Sequence, residues 1–282
     1  MRGKTQTEKK SGISVDTDVY SSYRWYLWDG GFLLFGRAEG IVPVHGHHAI
    51  QIVISINHVA SICGSDGVWH SGHGIIVKPD IEHSFDGNGI SGAMLFVDPE
   101  SIEGLWLRSS LTMDITVIPA SRLETCIKEL RAFMERPFEA MAIDQLIRHC
   151  VDCLCTGAPP LRRLDPRVTR VLQRIRASDN LRISLEEMAA EVHLSPSRFA
   201  HLFKQQLGLP FRRYILWRKL TRAMMAIGRK GSIADAAQAA DFADAAHLTR
   251  TFYQMFGTPP SALMRGDFFE INPPFSLVKE YK

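Results

Sequence analysis

Residues 184–220 read SLEEMAAEVHLSPSRFAHLFKQQLGLPFRRYILWRKL, and this stretch decides the fold of the C-terminal half of the chain. Ser184 followed three residues later by Glu187 is a capping box, which predicts that a helix begins there. Ser195 and Pro196 predict the start of a second helix, because serine caps a helix and proline fits its first position. Two short helices joined by a tight turn are typical of a helix-turn-helix unit.

A second unit of the same kind follows along the chain. Residues 233–265 read IADAAQAADFADAAHLTRTFYQMFGTPPSALMR, and Ser232 with Asp235 forms another capping box. Leu194 in the first turn and Phe242 in the second are 48 residues apart, as are the two helix starts. The repeat predicts an internal duplication of one structural unit.

Residues 211–228 lie between the two units and contain no helix breaker, so we expect one continuous helix. At ~1.5 Å per residue such a helix spans roughly 27 Å. That length could hold two recognition helices about one DNA turn, ~34 Å, apart on one face of a duplex.

Charge is unevenly distributed along the 282 residues, although the net charge is only +3. Residues 162–265 hold eighteen Lys and Arg against eight Asp and Glu, whereas the remainder holds fifteen against twenty-two. A basic block beside an acidic one is consistent with a polyanionic partner or with ordinary solvated surface.

The length suggests two domains. No apolar run approaches the ~20 residues of a membrane helix, and no secretory signal is evident, so we expect a cytoplasmic protein with no membrane partner.

The motifs LSPSRFxxLFK, FxxYI and HLTRTFxxxFGTPPSA, in this order, closely resemble the AraC/XylS DNA-binding domain over about 100 residues. The resemblance implies a non-enzymatic transcription regulator that inserts two recognition helices into successive major grooves of double-stranded DNA. Most members of the family are activators, so an activator is expected here. It also implies a homodimer and, for an activator, RNA polymerase as a partner. One departure is Asp241 where the family has glycine; aspartate tolerates the left-handed turn better than most residues. The expected DNA-contacting positions are Ser197, Arg198, Ala200, His201, Ala245, Ala246, Thr249 and Arg250, with Arg213 on the connecting helix as a phosphate contact.

Residues 20–120 consist of short apolar runs separated by Gly, Asp, Asn and Pro, which predicts a β-sandwich or barrel. His45, His47 and Gln51 share parity, so in an extended strand they project from one face. Together with His83, four residues after Pro79, they resemble the two short motifs of the cupin barrel. The resemblance implies a sensor domain for a small-molecule effector, with His45, His47, Gln51 and His83 as its polar residues.

Three interpretations of these histidines stay open. They form a polar patch in an effector pocket, they ligate a transition metal, or they only hydrogen-bond within the barrel. Gln51 replaces the glutamate of metal-binding cupins and removes the anionic ligand, so we expect no metal and no cofactor. A complete ligand set would instead indicate a metal-dependent cupin enzyme.

Residues 121–158 carry two amphipathic helical stripes and are interpreted as a dimerisation segment. Cys150, Cys153 and Cys155 lie in this segment and offer an alternative, a thiol- or metal-responsive sensor that binds DNA. The expected fold is α+β and multidomain: a cupin-like β-barrel, these helices, and an all-α double helix-turn-helix domain. The expected boundaries are a tail at 1–19, the sensor at 20–120, a linker at 159–164, the DNA-binding domain at 165–266 and a tail at 267–282.

Overall fold

A computed structural model describes residues 20–87, 89–134, 140–155 and 164–270 of the chain. The tail at 1–19, most of the linker at 159–164 and the last part of the C-terminal tail lie outside the described residues. The strands are β1 (Tyr20–Trp28), β2 (Gly31–Ala38), β3 (Ile41–His45), β4 (Ile50–Ser55), β5 (Ala60–Gly64), β6 (Trp69–Gly72), β7 (Gly74–Val77), β8 (His83–Asp86), β9 (Ile90–Val97), β10 (Ile115–Ile118) and β11 (Asp267–Glu270). The α-helices are α1 (Ile102–Ser110), α2 (Ala120–Met134), α3 (Ala140–Leu154), α4 (Pro166–Arg176), α5 (Leu185–Glu191), α6 (Pro196–Leu207), α7 (Phe211–Gly228), α8 (Ile233–Ala239) and α9 (Ala245–Phe256). A 3-10 helix covers Pro260–Arg265.

The N-terminal strands form two facing sheets. One has seven strands in the order β10-β7-β4-β9-β2-β1-β11, and the other has four in the order β3-β8-β5-β6. Within the described residues the strands form a sandwich of two sheets and no closed barrel, so the α+β architecture is confirmed and the cupin-like barrel that the sequence predicted is not. The sequence pattern could not distinguish the two, because alternating short strands suit both architectures.

The seven-stranded sheet is buried on both faces. Ile50, Ile52 and Ile54 face the outer helices, whereas Gln51 and Val53 face the opposite sheet, as the alternation of side chains along a strand requires. The structure therefore confirms the parity that the sequence predicted for Gln51.

Helices α2 and α3 cover the outer face of this sheet. Leu130 and Ile147, at the centres of the two apolar stripes, are both 0% exposed and pack in the same cluster as the outer-face isoleucines. The sequence interpreted residues 121–158 as a dimerisation segment, but among its described residues Leu123, Leu130, Ile147 and Val151 are buried within the chain.

The first helix-turn-helix unit has its own hydrophobic core. Helices α4, α5, α6 and the start of α7 enclose Phe199, Phe203, Phe211 and Tyr214, all nearly inaccessible to solvent. Pairs of these rings contact edge to face, for example Phe203 and Phe211 at 5.3 Å between centroids. The unit is therefore closed by residues of the C-terminal block alone.

The second unit shares its core with the N-terminal sandwich. Trp217, Met224, Phe252 and Phe256 belong to one continuous cluster with the inner faces of both sheets. Strand β11 continues this attachment by pairing in parallel with β1, so residues 267–270 are not the tail that the sequence predicted. No helix among the described residues is both long and apolar enough to cross a membrane.

Candidate DNA-binding and effector sites

Both helix-turn-helix units begin with the caps that the sequence predicted. The side chains of Ser184 and Ser232 accept from the backbone N–H three residues on, and Glu187 and Asp235 reach back to complete each capping box. Helix α6 starts at Pro196 and ends at a left-handed glycine. Each cap satisfies backbone N–H groups that the helix itself leaves unpaired.

Each turn contains one residue with a left-handed backbone. His193 in the first turn has φ +56° and Asp241 in the second has φ +58°. The sequence analysis expected aspartate to adopt the left-handed backbone that glycine provides in the family, and the φ of Asp241 confirms it. The Asp241 carboxylate also accepts from the backbone N–H of Leu181 at 2.8 Å and lies 3.2 Å from Nε of Arg182. Asp241 therefore both forms the second turn and ties it to the loop before α5.

The recognition helices α6 and α9 bury one face and present the other. Phe199 and Phe203 on α6, and Leu248 and Phe252 on α9, are core residues. Of the predicted contacts, Ser197, Arg198, His201, Ala246 and Arg250 are exposed, and Ala200, Ala245 and Thr249 are partly exposed.

The connecting helix α7 spans the 18 residues that the sequence predicted. Arg213 is exposed and stays a candidate phosphate contact. Arg218 is directed elsewhere: its guanidinium lies 3.5 Å from Asp98 and 3.6 Å from Asp29. Lys219 likewise donates to the backbone oxygen of Asp241 at 2.7 Å. Of these basic residues on α7, Arg213 is thus exposed, Arg218 contacts the N-terminal domain and Lys219 contacts the turn of the second helix-turn-helix unit.

Three of the predicted effector residues form a buried histidine cluster. The ligand-capable atoms of His45, His47 and His83 all lie within 4.8 Å of one another. Oε1 of Gln51 lies 2.9 Å from Nε2 of His47 and 3.0 Å from Nε2 of His83. The structure therefore brings all four predicted residues together between the two sheets.

The histidines of the cluster are held neutral. Burial, and then the neighbouring His83, lower the pKa of His45 to about 3, and burial lowers the pKa values of His47 and His83 as well. Nδ1 of His45 donates to the carbonyl oxygen of Pro43 at 2.8 Å, which leaves its Nε2 unprotonated. Neutral imidazoles of this kind can ligate a transition metal or hydrogen-bond an organic ligand.

A cavity of about 30 Å³ adjoins the cluster. It lies where the sandwich meets the second helix-turn-helix unit, and its walls come from both. The N-terminal wall includes Phe32, His45, Gln51 and Phe96. The C-terminal wall consists of Met224, Phe252, Phe256, Thr258, Ala262 and Leu263.

A family model described as a helix-turn-helix domain matches residues 188–266. The "Probable transcriptional regulator LumQ" of Photobacterium leiognathi is 22% identical over 231 residues, 77% of this chain and 90% of LumQ. Residues 188–266 are therefore a helix-turn-helix domain of the AraC type, and the chain is similar over most of its length to a transcriptional regulator.

Solved structures with a similar overall fold include ToxT of Vibrio cholerae. One crystal structure of ToxT superimposes with a TM-score of 0.55 at 11% identity, over 84% of this chain and 97% of that one. Wild-type ToxT with a bound unsaturated fatty acid gives a TM-score of 0.51 at 12% identity, over 87% and 96%. The chain therefore shares with ToxT a two-part fold, a β-rich N-terminal part followed by a helical one.

The regulator also contains a buried polar group that the sequence analysis missed. The parity of His48 is opposite to that of His45 and His47, which predicts an outward side chain, yet it is 2% exposed, with Nδ1 2.9 Å from Asp80 and Nε2 3.3 Å from Glu100. Burial by itself would lower the pKa of His48, but the hydrogen bonds and charges of these two carboxylates raise it to about 9. The partners lie 32 and 52 residues away, so no local spacing could have revealed them.

The cysteines of the regulator are poorly placed to react. Cys150 and Cys155 are buried, and Cys153 is partly exposed. The contact with Cys126, 2.8 Å between the sulfurs, together with burial raises the pKa of Cys150, and burial raises that of Cys155 to about 12. Thiols with raised pKa values hold little of the reactive thiolate at neutral pH. This favours a packing role over the thiol-sensing alternative.

Proposed function

We propose that this regulator controls transcription in response to a small organic effector that binds between the two sheets of its N-terminal domain. The observation that carries the proposal is the shared cavity. Because His45 and Gln51 line it from one side and Phe252 and Phe256 from the other, a ligand there would act directly on the packing of the second DNA-binding unit against the sandwich. The ToxT structure with an unsaturated fatty acid supports an organic ligand for this fold.

The further elements of the proposal follow from a DNA partner. We propose a cytoplasmic activator that contacts RNA polymerase and works as a homodimer on DNA. The dimer would use a surface other than the buried stripes of α2 and α3. Contact with operator DNA would come from the exposed residues of α6 and α9, with no catalytic role for any residue.

DNA binding is tested with the purified full-length chain. Selection from a random duplex library should enrich one operator, and fluorescence anisotropy should show binding that weakens steeply with salt as counterions are released. If the selection enriches no sequence, or if the affinity for DNA does not change with salt concentration, sequence-specific binding by these helices is contradicted.

The effector site is tested by a ligand screen on the wild type and a double variant. A compound that binds the native state raises the melting temperature. We expect His45→Ala with His83→Ala to abolish the shift while DNA binding persists. His58→Ala, on the exposed surface, serves as the control. An unchanged shift in the folded double variant would place the effector elsewhere.

A metal-dependent role of the cluster is the second candidate, favoured by the 4.8 Å grouping of His45, His47 and His83. Elemental analysis of protein purified without chelator separates the two. About one equivalent of a transition metal that is lost in the double variant would support the metal site. Substoichiometric metal that is equal in both proteins would support the organic effector.

A further inference from the structure

Phe256, the last residue of α9, packs against Phe252 of its own unit at 4.6 Å between ring centroids and also reaches into the N-terminal sandwich. Its ring centroid is 5.7 Å from that of Phe32, 6.0 Å from Phe96 and 5.9 Å from His47, over which it stacks. Phe32, Phe96 and His47 belong to strands or loops of the sandwich. A side chain of the second helix-turn-helix unit therefore occupies the space beside the histidine cluster.

The remaining space is too small for an effector. Organic ligands occupy pockets of about 300–1,000 Å³. The cavity of about 30 Å³ has room for a few water molecules at most. An effector of ordinary size can enter only if the phenylalanines of α9 move out.

The two helix-turn-helix units differ at this point, although they are duplicates. Both recognition helices end at a glycine with a left-handed backbone, Gly208 at φ +94° and Gly257 at φ +66°. A Cβ added at Gly208 would meet nothing within 4 Å. A Cβ at Gly257 would lie 2.5 Å from Val42, on strand β3. The close approach that places Phe256 in the sandwich thus needs glycine in the second unit alone.

We propose that Phe256 occupies the effector position of the N-terminal domain, so that docking of the second helix-turn-helix unit and binding of the effector exclude each other. The inference rests on the proposed effector function and specifies its regulation. Effector binding then releases the second unit from the sandwich, and loss of effector restores docking.

The same walls define the chemistry of the ligand. The described residues that line the cavity include no Lys, Arg, Asp or Glu, and the polar ones are His45, Gln51, Tyr23 and Thr258. Burying an unpaired charge is costly, whereas apolar surface gains from leaving water. The effector is therefore a neutral, largely apolar molecule with a hydrogen-bonding group that reaches Gln51 and the histidines.

The first experiment replaces the phenylalanine with a free molecule of the same shape. Phe256→Ala is expected to lower the melting temperature, and toluene at millimolar concentration should restore part of the loss by filling the vacated space. Tyr253→Ala on the exposed face of α9 is the control, and toluene should shift neither it nor the wild type. An equal toluene shift in all three proteins would overturn the placement of Phe256.

The second experiment undocks the unit without altering its phenylalanines. Gly257→Ala and Gly208→Ala both strain a left-handed helix end, but only the first meets strand β3. The neutral apolar dye Nile red should bind Gly257→Ala about tenfold more tightly than Gly208→Ala or the wild type, because undocking raises the fraction of open sites. Small-angle X-ray scattering should show a larger radius of gyration for Gly257→Ala alone.

The outcomes separate this inference from the proposed function. Equal Nile red affinity in both glycine variants and the wild type would overturn the exclusion while keeping an effector site. Binding by none of them, with Gly257→Ala expanded, would overturn the effector site and the inference together. Operator affinity of the wild type, measured in parallel, reports on the DNA-binding function independently of both.

Discussion

The indole Nε1 of Trp217 donates to Oδ1 of Asp98 at 2.9 Å, although the two residues are 119 positions apart. Arg218 on the same turn of α7 approaches the other oxygen of this carboxylate at 3.5 Å. Burial and then the nearby Glu100 raise the pKa of Asp98 to about 6. Helix α7, which joins the two helix-turn-helix units, is thereby attached to the end of strand β9.

Trp217→Phe should weaken this attachment. The change removes the donor but keeps an aromatic ring, and it leaves Oδ1 of Asp98 buried without its partner, which costs about 1–3 kcal/mol. Urea unfolding should show that loss. Trp69→Phe is the matched control because Trp69 is exposed, and it should change stability by less than about 0.5 kcal/mol. Equal effects of the two changes would argue against the importance of the bond.

His48→Gln should remove a defined part of the pH dependence of stability. The pKa of His48 is about 9 in the folded chain against 6.5 for an ordinary histidine, so its stabilisation is fully present below pH 6.5 and is lost as the pH rises through 9. The shift corresponds to about 3 kcal/mol at most. Urea midpoints at pH 6 and pH 9 should differ more for the wild type than for the variant. Parallel pH profiles would contradict a charged His48.

Arg250→Ala should reduce specific DNA binding more than non-specific binding. Arg250 is exposed on α9, and a bidentate contact with guanine is worth about 1–3 kcal/mol of discrimination. Arg213→Ala on α7 should instead weaken all sequences similarly and reduce the salt slope by about 1. The measurement is a titration of operator and scrambled duplex at two salt concentrations.

The contrast between these two arginines decides their roles. If Arg250→Ala weakens both duplexes equally, Arg250 contacts the DNA backbone. Specificity would then reside in the first recognition helix, with Arg198 and His201 as the next residues to change.

The hydroxyl of Thr249 donates to the backbone oxygen of Ala245 at 2.8 Å, so it can only accept a hydrogen bond from a base.

Leu130→Ala should destabilise the chain rather than dissociate a dimer. Leu130 is fully buried against the sheet, and truncation of such a leucine costs about 2–5 kcal/mol. Met134→Ala, at an exposed position of the same helix, should cost much less. Thermal unfolding combined with sedimentation separates the explanations. A folded variant of unchanged stability that sediments at half the mass would restore the dimer interpretation of α2.

Cys150 should resist alkylation in the native chain. It is 1% exposed and its pKa is raised by the contact with Cys126 and by burial, so thiolate is scarce and inaccessible. Mass spectrometry after a timed pulse of iodoacetamide should find Cys153 modified before Cys150, and Cys150 only after urea is added. Rapid native labelling of Cys150 would revive the thiol-sensor alternative.

The sequence by itself determined the DNA-binding half of this protein. Capping boxes, helix-ending glycines and the 48-residue repeat are visible in the sequence and predicted both helix-turn-helix units and the 18-residue helix between them. The family resemblance predicted the left-handed turn at Asp241. The grouping of His45, His47, Gln51 and His83 was also predictable from the two short motifs. The parity argument assumed a single strand, whereas the structure places His45 in β3 and Gln51 in β4, on facing sheets.

Only the tertiary structure decided how the two halves meet. An apolar stripe at helical spacing does not identify the surface that covers it. From the sequence, Leu130 could therefore be an interface residue, whereas in the structure it packs against the sheet. Hydrophobic burial is non-directional and depends on area alone. For the same reason, nothing local distinguished Phe256, buried in the sandwich, from Leu207, buried in its own unit. Contacts such as Trp217 with Asp98 join residues far apart in sequence, and chain folding alone brings them together.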